Sequence, residues 1–426
     1  MFKFVKKKEP LQHIRYGPYV GMCIYCFLFI AFAFITTSPS DIFKGLLAII
    51  QDPDYLISDY IGVGGIGAAF FNSGLLTLFM VVLLFLSGTQ ITGISIAALL
   101  TVSGFALFGK NILNVWPILA GVYLFSKHQK EPFSRYIYIA LFGTALAPLV
   151  SLLLFGDLFS ALPIRLIASI LIGLSIGIIL PPLSTAFLRF HQGYNLYNVG
   201  FVAGALGTVY VSILRSYGLL VESRIIWTTG NNLLFGSFLI ILFSTLIIFS
   251  FFLPRWNRIK WIMGYSGRAV SDFVILEGWG SALFNMGLMG IITTFYIIAI
   301  RGNLNGPTIG GILTVVGFSA FGKHPRNTIP VLAGIILGAA TKHWSLAEPA
   351  IQLAALFGTT LAPISGEFGW KYGLLAGFVH SSVVLNVGIL HSGFNLYNNG
   401  FSGGLVAAVL LPLIETFAGG ENKNET

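Results

Sequence analysis

The chain has 426 residues, 56% of them hydrophobic and 9% charged. Soluble domains carry about 25% charged residues, and a mean hydropathy of +0.86 excludes an ordinary water-soluble globule. The formal net charge of +9 reads as Lys and Arg in cytoplasmic loops of a membrane protein, and no nucleic-acid partner is expected.

Residues 1–16 form a basic start, MFKFVKKKEP and onward, expected in the cytoplasm. The apolar run 17–37 is long enough to cross about 30 Å of hydrocarbon. It exceeds the about 7–15 residues of a signal-peptide core, so it is read as a true span. Its two cysteines, Cys23 and Cys26, are spaced C-x-x-C without further ligands nearby, which favours packing over metal or redox chemistry. Segment 61–87 follows Asp59 and carries Asn72 within F-N-S-G-L. Its Gly-rich IGVGGIGAAF lacks the Lys-Ser/Thr of a phosphate loop. Segment 92–109 is short, rich in Gly, and ends in Phe-Gly ahead of Lys110. Segments 112–126, 133–154 (with FGTALAP) and 163–188 come next. Then HQGYNLYNVGFVAG, from His191, opens segment 196–215.

After a linker at 217–232, the same order returns in 233–253, 274–300, 306–322, 327–341, 347–364, 370–390 and 396–415, before a polar tail at 416–426. Asp272 and Asn285 repeat Asp59 and Asn72 at one offset of 213 (272 − 59, 285 − 72). TGISIAALLTVSGFALFGK is matched by NGPTIGGILTVVGFSAFGK, ending in Lys323, and FGTALAP by FGTTLAP. HSGFNLYNNGFSGG, from His391, repeats the last motif at a shorter offset of 200 (391 − 191). Two halves, 17–216 and 233–415, therefore share one fold of about seven segments each. An odd count inverts the second half, and loop charges agree. SPSDIFKGLLAIIQDPDYLISD is acidic where PRWNRIKWIMGYSGRAVSD is basic; SKHQKEPFSR, LRFHQ and GKHPR outweigh TKHWSLAE, LHS and GKN. The expected fold is all-α, with about fourteen transmembrane segments as two seven-segment inverted repeats. The expected location is a bacterial inner membrane, with the N-terminus cytoplasmic.

Inverted repeats with interrupted helices mark secondary transporters, whose sites lie where the halves meet. The short third segments are candidates for half-helices whose free backbone dipoles hold a solute or ion. Asn72 and Asn285 bring amides into apolar stretches; the plain alternative is an interhelical hydrogen bond. Asn195, Tyr197 and Asn198, with Asn395, Tyr397 and Asn398, are candidate substrate-binding residues, expected as two polar clusters on opposite sides of the symmetry axis or equally as helix caps and interfacial aromatics. Lys110 and Lys323 hint at an anion. Asp59 and Asp272 are candidate H⁺ or Na⁺ carriers, or else helix caps. Glu277, whose counterpart is Gly64, is expected as an unpaired carboxylate, and His380, whose counterpart lies near Leu180, as a titratable ring at depth, and both join the candidate H⁺ or Na⁺ carriers.

F-N-x-G-L, F-G-T-x-L-A-P and G-[YF]-N-L-Y-N-x-G-F carry a resemblance, over nearly the whole chain, to an uncharacterised bacterial family of multi-pass membrane proteins with a domain of unknown function. N-x-G-L opening a helix, then a Gly/Ala helix and Leu-Ala-Gly-[VI], is also similar to the duplicated pore unit of urea transporters. Their proline-containing motif is absent and their five-span halves differ. Seven-plus-seven inverted architecture resembles nucleobase and anion permeases. The expected function is a permease for a small polar or anionic solute; a passive channel for a neutral solute, or a membrane enzyme or scaffold, are the alternatives. Sparse acid–base candidates argue against an enzyme. No cofactor is expected, and a homo-oligomer stays open.

Overall fold

A computed structural model describes residues 11–55, 57–219 and 224–418. Residues 1–10 of the basic start, 220–223 of the linker and 419–426 of the tail lie outside the described residues. The first half contains α1 (Leu11–Thr36), α2 (Pro39–Gln51), α3 (Tyr60–Leu86), α4 (Gly93–Phe105), α5 (Trp116–His128), α6 (Ile137–Gly143), α7 (Ala147–Phe155), α8 (Leu162–His191) and α9 (Asn198–Ser216). The second contains α10 (Asn232–Ser250), α11 (Ile259–Ile262), α12 (Phe273–Glu277), α13 (Trp279–Ala299), α14 (Gly306–Phe318), α15 (Pro325–Ala340), α16 (Pro349–Gly358), α17 (Ala362–Phe368), α18 (Trp370–Val387) and α19 (Asn398–Ala418).

Every expected segment is helical, and the chain is an all-helical, polytopic membrane protein. Among the described residues nine helical stretches are long and apolar enough to cross a membrane. The remaining expected segments are shorter helices: α4, α5, α14, α15 and the broken pair α16–α17. The shorter offset of the last motif has a visible cause, because the helical stretch up to the motif histidine has 30 residues in the first half (Leu162–His191) and 22 in the second (Trp370–His391).

Small residues set the packing, as expected where lipid gives helices no hydrophobic reason to pair. Gly74 of α3 sits on the Cys26 carbonyl of α1, and its counterpart Gly287 of α13 on the Phe243 carbonyl of α10. Gly121 and Gly177 join α5 to α8, and Gly334 and Gly377 join α15 to α18. At the centre α4 and α14 run antiparallel, with Gly104 against Gly310 and Gly317 against Ala97. Both helices are buried along almost their whole length. Matching kinks occur at Gly65 (φ 86°) within α3 and Gly278 (φ 89°) between α12 and α13, a backbone region in which a side chain would be strained.

Candidate functional site

The short helices α4 and α14 are each closed at both ends by protein groups. At its start α14 is capped by the other half: Asp59 accepts from Gly306 N (3.2 Å), from Ile61 N of its own α3 (3.1 Å), and from Thr228 N (3.0 Å) and Oγ1 (2.5 Å). Asp272 mirrors it, accepting from Gly93 N and Ile94 N of α4 and from Val274 N and Ile275 N of α12, at 3.0–3.3 Å. Both carboxylates thus act as N-caps, each for one helix of either half, where a helix start favours negative charge.

The far ends are closed by the amides. Asn72 donates to the carbonyls of Ala106 (2.7 Å) and Lys110 (2.8 Å) and accepts from Ile112 N (3.2 Å). Asn285 donates to Ser319 and Lys323 carbonyls (both 2.7 Å), while its Oδ1 has no partner. The backbone dipoles expected to be free are therefore occupied at both ends. The reason for Phe-Gly-Lys is also visible. Gly109 (φ 120°) and Gly322 (φ 103°) turn the chain in the left-handed region, and the lysines that follow enter the core.

Lys110 and Lys323 are both 0% exposed and rank among the largest fully buried side chains. The ammonium of Lys323 donates to Tyr197 Oη (2.5 Å) and Thr359 Oγ1 (2.7 Å) and lies 4.5 Å from the centre of the Tyr197 ring. That of Lys110 lies 5.0 Å from the centre of the Phe105 ring and has no hydrogen-bond partner. Neither lysine joins any of the ion pairs among the described residues, which are Arg135–Glu131, Arg224–Asp52 and Arg258–Glu277.

The Asn-Leu-Tyr-Asn motifs bring this centre together. Leu196 N donates to Thr360 O and Leu396 N to Ala145 O, both at 3.1 Å, so each motif grips the broken helix of the other half. Asn195 donates to Gly400 O (2.9 Å), and Asn395 to Gly200 O (3.1 Å). Asn198 and Asn398 hold His191 and His391 at 2.9 Å. The expectation of two separate clusters is corrected by this crossing. Tyr197 and Tyr397 meet, ring centres 4.9 Å apart, because each reaches over into the opposite half. Phe105 and Phe357 (5.5 Å) and Phe142 and Phe318 (5.7 Å) complete the aromatic cluster.

Glu277 is likewise corrected from an unpaired carboxylate: it accepts from Tyr265 Oη (2.7 Å) and pairs with Arg258 (3.5 Å), a cation from the basic loop that the first half lacks. His380 sits apart from the lysines' hydrogen bonds, its Nε2 2.9 Å from Asn399 Oδ1 and its Nδ1 without a partner. Its ring packs on Gly358, beside Thr359. A polar cavity of about 400 Å³ opens beside the Lys323 turn, lined by Tyr265, His324, Arg326, Ser365 and Glu367 among others. Burial lowers the His324 imidazole to about 4, and its Nδ1 caps α15 by accepting from Asn327 N (3.3 Å). Sequence reasoning missed Thr101, Phe105, Phe142, Phe318, Phe357 and Thr359. The signal was present: Thr101 and Thr314, Phe105 and Phe318, Phe142 and Phe357, and Thr144 and Thr359 all recur in the matched stretches.

A family described as a protein of unknown function (DUF1576) matches residues 38–216 and 255–416, and the chain belongs to that family. No curated protein and no solved structure matches it, so the likeness to urea transporters is not shown.

Proposed function

We propose that the chain is a secondary transporter for a small anionic solute, with its site where two inverted halves meet. The observation that supports this reading is the pair Lys110 and Lys323, buried at that meeting without an acidic partner. A buried charge costs several kcal/mol unless paired, and an anion is the partner that two ammoniums with hydroxyl donors around them would take. Antiparallel α4 and α14, each capped from the opposite half, support inversion. The basic loop after α10 supports a cytoplasmic N-terminus, and the cavity at His324 supports an aqueous approach from that same side. On this reading the chain is not an enzyme, and the solute leaves unchanged. H⁺ or Na⁺ coupling is part of the proposal; with Asp59 and Asp272 committed as caps, His380 is the candidate for it.

Thermal unfolding of the purified protein, with sodium formate, nitrate, acetate or sulfate and with urea, tests the reading. A ligand at a hundred times its Kd stabilises the folded state by about 2.7 kcal/mol. Stabilisation by at least one anion, lost in the double variant Lys110→Met/Lys323→Met and accompanied by uptake into sealed vesicles, is expected. Stabilisation by urea alone would instead favour a neutral-solute channel and overturn the anion reading.

A further inference from the structure

The two lysines stand in matching places but in different states. Lys323 is closed on its own partners, Tyr197 and Thr359. Thr314, the counterpart of Thr101, donates to the Gly310 carbonyl (2.8 Å). In the other arm Lys110 Nζ is buried without a hydrogen-bond partner, and the buried Tyr397 Oη and Thr101 Oγ1 have only each other within reach. These groups share one neighbourhood. Lys110 and Tyr397 both lie against Phe105, at 5.0 and 4.6 Å. Thr101 stands one turn before Phe105 on α4, on the same helix face, and beside Tyr397.

Resting on the anion reading above, we infer that this arm is the binding site proper: Lys110, Tyr397 and Thr101 receive one small monovalent oxyanion or carboxylate, while the Lys323 arm is self-satisfied and binds none. Three arguments carry it. Buried polar groups short of partners each cost about 1–3 kcal/mol, so three together are tolerated where a ligand completes them. Lys110 brings only donors once an anion beside it holds its charge, which burial alone disfavours, and each hydroxyl has a proton to give, so one acceptor-only anion satisfies all three groups at once. One ammonium faces the site, and Phe105 and Phe142, whose ring centres lie 4.6 and 6.2 Å from that of Tyr397, wall it. That fits a single charge with few atoms.

Calorimetric titration of the purified full chain with sodium formate and with sodium nitrate, at constant ionic strength, tests the assignment. One site per chain is expected. Lys110→Met weakens binding about tenfold to a hundredfold, the size of a lost charge-assisted hydrogen bond. Tyr397→Phe and Thr101→Val each weaken it severalfold. Without anion, Tyr397→Phe costs little stability, since the hydroxyl it deletes reaches only Thr101; these near-isosteric variants keep the test open if Lys110→Met fails to fold. Tyr197→Phe and Lys323→Met weaken binding less than Lys110→Met does, because they change the arm that is closed on its own partners. Loss of binding in Lys323→Met with retention in Lys110→Met overturns the assignment but leaves the anion reading standing, as does a stoichiometry of two. Absence of anion binding in the parent chain defeats that reading itself.

Discussion

Replacing Asp272 separates a structural carboxylate from an ion carrier. The side chain is buried and accepts four backbone N–H groups, from Val274, Ile275, Gly93 and Ile94. Loss of one ordinary N-cap costs about 1 kcal/mol, so two capped helices set a floor of about 2 kcal/mol. Two of the four bonds, those from Gly93 and Val274, are buried, and an orphaned buried donor costs at least about 1 kcal/mol, which raises the figure towards about 4 kcal/mol. Asp272→Ala is therefore expected to lose about 3 kcal/mol. Asp272→Asn, which keeps one acceptor oxygen in place, should lose about 1–2 kcal/mol. Thermal unfolding in detergent, followed by the fluorescence of the seven tryptophans, reads the stability. Formate uptake into sealed vesicles reads transport, and Asp272→Asn is expected to retain it. An Asp272→Ala protein within about 0.5 kcal/mol of its parent would refute the cap. Equally decisive would be Asp272→Asn that folds as well as the parent and transports nothing, because that is the behaviour of a proton or cation carrier.

Gly104→Ala would bring a methyl group 2.5 Å from the Gly310 carbonyl oxygen; overpacking of this kind costs about 1–3 kcal/mol, read as an earlier unfolding transition. Asn72→Ala should destabilise more than Asn285→Ala, by about 1 kcal/mol, because Asn72 makes three hydrogen bonds to the α4 turn and Asn285 two to the α14 turn. His324, lowered to about 4 by burial, binds its proton less readily folded than unfolded, where about 6.5 applies. Its contribution is thus complete above about pH 6.5 and is lost as pH falls towards 4, by up to about 3 kcal/mol. His324→Asn, the residue that the first half carries as Asn111, keeps an acceptor for the cap and should flatten that slope in a pH series of unfolding curves.

The duplication made much of the fold legible, because a repeated Asp, Asn or Phe-Gly-Lys at a fixed offset stands out against apolar sequence. Helix edges followed from the ends of the apolar runs, and Asp59 and Asp272 were readable as caps of the helices that follow them. That each also caps a helix of the other half was not readable, since Asp272 reaches Gly93 across 179 positions and Asp59 reaches Gly306 across 247. No local pattern encodes such a pairing. The same limit hid the aromatic cluster. Phe105, Phe142, Phe318 and Phe357 look like any lipid-facing ring until the crossing of the Asn-Leu-Tyr-Asn motifs places them around two lysines. Thr101 was hidden by its setting inside an apolar helix, where a hydroxyl ordinarily bonds back to the preceding turn, as Thr314 does.

This crossing also limits how such a molecule can move. Simple rocking of one half against the other would break the Asp59 and Asp272 caps, the Leu196–Thr360 and Leu396–Ala145 bonds and the Asn195 and Asn395 bonds together. At about 1 kcal/mol or more for each bond, and more where a buried donor is left without water, that is too costly for a transport cycle. Tight glycine contacts within one half join α1 to α3, α10 to α13, α5 to α8 and α15 to α18. The Asp59 and Asp272 caps tie α3 and α12–α13 to the other half, which leaves α5 with α8 and α15 with α18. They can shift as pairs while α4, α14 and the two motif loops remain locked. A transporter built this way would open and close by moving those outer pairs past a fixed centre. A disulfide engineered between α5 and α8 should then leave transport intact, whereas one that fastens α5 to α4 should stop it while leaving anion binding unchanged.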